Sequence, residues 1–305
     1  DKVVFDGVSS DGTFSSGILS QVALGAEGNG GSVNIRAGSL EVKNGAQINS
    51  STFSTGNAGN MEIAAEDKVV FDGISPDGTF SSGILSQVGL GAEGNAGDVT
   101  ITARDLTVEN GAQIAASTFG TGNAGSVEIN ATDTVVLDGG EAESFTGVDS
   151  SVQAEAEGDA EGVTITTGSL EVKNGAQINS NTFSIGNAGN MEITAEDTVV
   201  FDGISPDGTF SSGILSQVAS GAEGNAGDVT ITARDLTVEN GAQIAASTFG
   251  TGNAGSVEIN ATDTVVLDGG EAESFTGVDS SVQAEAEGDA EGVTITTGSL
   301  EVKNG

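Results

Sequence analysis

Apolar residues along this chain recur at every second position, in runs too short for helices. In GDVTITARDLTVENGAQIAASTFGTGNA, residues 97–124, Val99 and Ile101 alternate with polar neighbours, followed by Leu106 and Val108, then Ala112, Ile114 and Ala116. Period-2 alternation predicts strands with one buried face, and the Gly, Asn and Ser between runs predict turns. Each such segment therefore holds three strands. A longer segment, 59–96, keeps the plan with MEI, VVF and GILSQV, and inserts a loop, GISPDGTFSS, after its second strand. In its last strand Ile84, Ser86 and Val88 share a parity, as do Val148, Ser150 and Val152 further on.

The plan returns along the whole chain. DKVVFDG starts at Asp1 and Asp67, DTVVLDG at Asp133 and Asp263, and DTVVFDG at Asp197. Residues 97–175 are identical to 227–305, an offset of 130. Asp-Gly or Asn-Gly pairs close the second run of each segment, at Asp6, Asn44, Asp72, Asn110, Asp138, Asn174, Asp202, Asn240, Asp268 and Asn304. Their spacing alternates between 28 and either 36 or 38 residues. Such pairs supply positive φ at a tight corner at little steric cost.

Two architectures compete for this pattern. Asn-Gly between alternating strands is a hairpin signal. Three strands per segment, with an equivalent strand returning after 28–38 residues, fit a parallel solenoid better, and 12 Phe are few for the sheet contacts of a meander or propeller. The expectation is an all-β parallel β-helix with three strands per coil and nine to ten coils of alternating 28 and 36–38 residues. The coils fall near 1–30, 31–58, 59–96, 97–124, 125–160, 161–188, 189–226, 227–254, 255–290 and 291–305. Small Ala, Val and Ile would fill its narrow core, like upon like.

That register predicts ladders. The GNAG turn places Asn29, Asn57, Asn95, Asn123, Asn187, Asn225 and Asn253 at one site in successive coils, with Asp159 and Asp289 where the turn becomes GDAEG. Stacked amides hydrogen-bonded along the axis are expected there. Phe53, Phe119, Phe183 and Phe249 close the short segments and are expected to cover the end of the core. Asp67, Asp105 and Asp133, and again Asp197, Asp235 and Asp263, are expected in line at a second corner, with Ser169 between the two sets. Carboxylates about 4.8 Å apart repel by about 1 kcal/mol per pair in water. Either backbone N–H groups at the turn or Ca²⁺ shared between rungs would relieve this, since hard oxygen ligands suit that ion. The long-segment loops, 72–83, 138–147, 202–213 and 268–277, are expected to project from one edge, each anchored by its Phe: Phe80, Phe145, Phe210 or Phe275.

Charge narrows the partners. With 45 Asp plus Glu against 8 Lys plus Arg, the net charge is −37, which argues against nucleic acid and against direct adhesion to anionic lipid. No apolar run reaches membrane-spanning length, so no direct membrane insertion is expected. Neither Cys nor His occurs, so disulfides and the usual zinc ligands are excluded. The chain opens on DKVVFDG and stops on EVKNG, both in mid-pattern, so it reads as a piece of a longer repetitive protein.

GNAGDVTITARDLTVENGAQI, STFGTGNAGSVEI and SGILSQV…GAEGNAG resemble the tandem repeats of large filamentous-haemagglutinin-type exoproteins of the two-partner secretion class, as found in cyanobacteria. The resemblance covers essentially the whole chain. It implies a right-handed parallel β-helix, export to the cell surface or beyond, and a role in adhesion or in an extracellular fibre. The NPNL-type secretion motifs of that family are not among these residues, and it brings no catalytic residues to carry over.

The function expected is that of a structural subunit or stalk of an extracellular filament. Its partner would be itself, through end-to-end stacking or continued repeats. A rod needs many equal rungs, whereas an active site needs one unique constellation, so no catalysis is expected. The alternative is a surface adhesin that binds glycans or other cells through the projecting loops.

Overall fold

The computed structural model describes residues 1–304, all in strands, turns and loops, with no helix among them. Gly305 lies outside the described residues. Every pairing between strands is parallel, and each strand pairs with its counterpart one segment away. The strands form a 14-stranded sheet, made of the first and second runs of the segments, and a 9-stranded sheet made of the third runs. In residues 97–124 the first two runs are continuous as the strand Val99–Glu109, and the third is Gln113–Ala115. Long strands such as Val127–Asp138 accordingly pair with two shorter ones, Val163–Thr167 and Ser169–Lys173.

Registration places identical residues on one another. Ile35, Ile63, Ile101, Ile129, Ile165, Ile193, Ile231, Ile259 and Ile295 pair in unbroken succession through the first run. Those from Ile63 to Ile259 are almost completely buried. Val and Leu alternate in the second run, as in Val69, Leu106, Val135, Leu170 and Val199. Sequence-equivalent β-branched side chains thus share one rotamer environment, which suits parallel strands buried on their inner face.

The inner face also takes polar groups at fixed places. Ser86 is fully buried in line with Ile84 and Val88. Its hydroxyl donates to the Gly59 carbonyl at 3.1 Å and accepts the Gly97 N–H at 2.8 Å, so it joins two neighbouring GNAG turns. Ser50, Ser150 and Ser216 do the same work in their own segments, whereas Ser180 accepts the Gly189 N–H but donates to the Ser150 carbonyl. These serine hydroxyls are tolerated in the interior because each is satisfied.

Antiparallel pairing occurs as isolated bridges in three loops, Val8–Ser15, Ile74–Ser81 and Ile204–Ser211. The hairpin signal therefore belongs to the SPDGTF insertions rather than to the Asn-Gly corners. In the second loop the Asp77 carboxylate accepts from Ser75 Oγ at 2.6 Å and from the Thr79 N–H at 3.1 Å, while Gly78 takes the positive φ of 75°.

Candidate functional site

Three sets of residues were singled out by the sequence, and the structure places each. The GNAG asparagines stand one above another as expected, but their bonding differs from amide stacking. The Oδ1 of each accepts the backbone N–H of its counterpart one segment later: Asn29 from Asn57, Asn57 from Asn95, Asn95 from Asn123, and Asn123 from Asp159, at 2.9–3.0 Å. The series continues through Asp159, Asn187, Asn225 and Asn253 to Asp289. Only an acceptor oxygen is needed, which explains why Asp can stand in the ladder.

The corner residues divide into two kinds. Asn44, Asn110, Asn174, Asn240 and Asn304 have φ of 49–56°, and the following glycines Gly45, Gly111, Gly175 and Gly241 are also positive. Asp6, Asp72, Asp138, Asp202 and Asp268 instead end their strands, paired with Lys43, Glu109, Lys173, Glu239 and Lys303. The two kinds are thus one residue out of register, and the Asn side chain leans across to close the gap. Asn44, Asn110, Asn174, Asn240 and Asn304 each donate through Nδ2 to Asp6, Asp72, Asp138, Asp202 and Asp268 respectively, at 2.7–2.9 Å. Each corner glycine N–H is taken by a hydroxyl of the next segment: Gly45 by Ser82, Gly111 by Thr146, Gly175 by Ser212 and Gly241 by Thr276.

The aspartate ladder proposed as a calcium site is corrected. Asp105 pairs with Lys68 and Thr134, so it sits one residue beyond Asp67 and Asp133, and Asp235 likewise pairs with Thr198 and Thr264 rather than standing over Asp197 and Asp263. At the place assigned to the middle carboxylate stand Arg104 and Arg234. Arg104 reaches Asp67, Asp105 and Asp133, and Arg234 reaches Asp197 and Asp235. The chain supplies its own cation there. Asp105 feels burial, which raises its pKa, but hydrogen bonds from Thr134 and Arg104 outweigh that and hold it below the usual carboxylate range. No group of three or more acidic side chains among the described residues is placed to hold a metal ion. The true carboxylate stack lies elsewhere, at Asp72, Glu109 and Asp138, and again at Asp202, Glu239 and Asp268. Burial, then repulsion from the flanking aspartates, pushes Glu109 and Glu239 up.

The sequence did not foresee a groove of about 460 Å3 that crosses five segments on the outer face of the third runs. Phe119 and Phe183, from the ends of two short segments, line it together with Phe145 and Phe210 from two long loops. The closing phenylalanines are thus not a lid on the core. Phe119 is 36% exposed and Phe183 44%. The remaining lining is almost all side-chain amide: Gln87, Gln113, Gln153, Gln177 and Gln217, with Asn179 and Asn181. Alternate third runs carry Gly where the others carry Gln, as in Gly83, Gln113, Gly147, Gln177 and Gly213.

Within the groove the amides form a directed chain. Gln177 Nε2 donates to the Ser211 carbonyl at 3.0 Å, and Asn179 Nδ2 donates to Gln177 Oε1 at 3.1 Å. The first bond fixes the orientation of Gln177, and that in turn fixes Asn179. Asn179 is 9% exposed, and its Oδ1 has no partner. The equivalent Asn49 Oδ1 accepts the Ser51 N–H at 2.9 Å, whereas the corresponding N–H, of Asn181, is drawn away to Ser151 Oγ at 3.0 Å. Leu215 and Asp149 complete the lining, and Asp149 is held by Ser117 and Ser151 at 2.5 Å and by Gln153 at 3.0 Å. Burial pushes its carboxyl above the usual carboxylate range despite those bonds.

Compared with family models, curated proteins and solved structures, the chain matches none. Among the described residues, no helix is long and apolar enough to cross a membrane.

Proposed function

We propose that the chain is the stalk or structural subunit of an extracellular filament, a right-handed parallel β-helix of nine to ten coils with three strands each. The observation that carries this reading is the parallel pairing from Lys2 to Lys303, in which each segment sets apolar side chains on those of its neighbour at the inner positions, isoleucine on isoleucine in the first run. A scaffold of equal rungs provides length and stiffness through nearest-neighbour contacts alone. The acidic exterior keeps such rods apart sideways. Rods join end to end, or run on through further repeats, because the outermost strands offer unpaired backbone groups. Secretion to the cell surface follows from the same reading.

Electron microscopy and fibre diffraction of the purified chain test it. Rods with strands across the axis, a meridional spacing of about 4.8 Å and a unit of roughly 19 Å for four coils are expected. Compact particles with no such spacing would remove the proposal.

A further inference from the structure

We propose that the groove on the third face binds a linear, uncharged polysaccharide lying along the stacked segments. The site does not depend on filament assembly, and it replaces the loop tips as the place of recognition.

The lining chooses the ligand class. A carboxamide both donates and accepts, and so does a sugar hydroxyl, so a wall of Gln and Asn suits a polyhydroxylated chain better than an ion or a hydrocarbon. Asn179 is the sharpest sign. Its buried Oδ1 is an acceptor left without a donor, in an orientation fixed by the Gln177–Ser211 relay, and leaving such an atom unmade is costly. That oxygen is shielded from solvent, so a ligand hydroxyl supplies the missing donor only as the neighbouring side chains give way on binding. Phe119 and Phe183 stand two segments apart on the same side, with Gln153 between them. Half-exposed rings at that interval offer apolar platforms to alternate pyranose rings. The rung spacing of about 4.8 Å is also close to the length of one pyranose in an extended chain.

Charge and backbone exclude the rivals. No Lys or Arg lines the groove, Asp149 does, and the whole chain carries −37, so uronates and sulfated glycans are repelled. An extended peptide would need a free strand edge for main-chain bonds. The strands beneath the groove are paired on both sides, so only side chains are offered. Parts of the site recur 130 residues on, where Ser247 and Gln283 hold Asp279 as Ser117 and Gln153 hold Asp149. Repeated sites along one rod would raise the avidity for a long polymer.

The experiment is calorimetric titration of the purified chain with hexasaccharides of β-1,4-glucose, β-1,4-N-acetylglucosamine, β-1,3-glucose and α-1,4-glucose. A hexauronate and a Gly-Ser peptide are run in parallel. At least one neutral hexasaccharide is expected to saturate at millimolar concentration or below. Phe183→Ala, which alters a surface ring, and Asn179→Ala should each weaken it about tenfold, with circular dichroism and the 4.8 Å spacing unchanged. Thr102→Ala, on another face, should leave binding unaltered. Saturation by the hexauronate or peptide alone, no neutral ligand binding, or affinity unaffected by both groove variants would overturn the proposal. Because the diffraction spacing is read on the same samples, failure here is distinguishable from failure of the rod.

Discussion

The smallest unit that explains this molecule is one side-chain oxygen accepting one backbone N–H from the next segment. At Asn57 the side chain is exposed and serves as acceptor for Asn95 at 2.9 Å. Asn57→Asp should therefore be nearly neutral, while Asn57→Ala removes about 1 kcal/mol locally and speeds exchange of the Asn95 amide about fivefold. Hydrogen exchange followed by mass spectrometry or NMR checks both. A second residue argues the reverse. Thr182 is fully buried between Val152 and Val218, and its hydroxyl has no partner. Thr182→Val should stabilise by about 1 kcal/mol, measured as a raised denaturation midpoint, since an unsatisfied polar group leaves the core at constant shape.

Within a segment, corners and strand faces carry the constraints. Gly83 has a φ of 154°, and a Cβ there would fall 1.8 Å from the Gln113 carbonyl oxygen. Gly83→Ala should cost about 3 kcal/mol, because backbone rather than a flexible side chain would have to move; thermal unfolding reads it out. At the carboxylate stack, Glu109 titrates above its ordinary value of 4.5. A raised carboxylate favours the protonated form in the fold, so its penalty is absent below about pH 4 and grows as pH rises through the folded value. Glu109→Gln should thus raise stability at neutral pH by about 1 kcal/mol, the size of one like-charge contact in water, and by nothing in acid. Asp207 runs the other way. Hydrogen bonds from Ser205 and Thr209 lower it to about 2, so its contribution is full above its ordinary 3.8 and is lost as pH falls toward 2.

The strands, their parallel sense and the Asn ladder were legible because alternation and spacing repeat without interruption. The aspartate register was not. Segment 97–124 turns its first corner with one residue fewer than its neighbours: Ala103 pairs with Ala131, and Leu106 with Val135. Aligning Asp with Asp followed the letters, whereas the fold aligned Leu106 with Val69 to keep the apolar face inward. The groove was hidden for another reason. Its side chains come from five segments, and alternation says which residues face outward without saying which loop will lie beside them.

At the scale of the whole molecule, stability is a sum over neighbouring segments, so a lesion should loosen its own rung and those adjoining it before the rest. Opening the Arg104 cluster by Arg104→Gln should have a small effect, under about 1 kcal/mol, because the side chains of Arg104 and Asp67 are roughly half exposed. The loss should shrink further in high salt. Denaturation at two ionic strengths separates this from a packing defect, which salt would not relieve.

The short corners also govern how the material ages. Asn-Gly sequences deamidate when the glycine nitrogen attacks the preceding side-chain carbonyl. Here the Gly45, Gly111, Gly175 and Gly241 nitrogens are each engaged by a hydroxyl, and the neighbouring Asn amides are clasped by carboxylates. The folded chain therefore resists this chemical wear, and conversion at those four sites marks molecules that have at some time unfolded there.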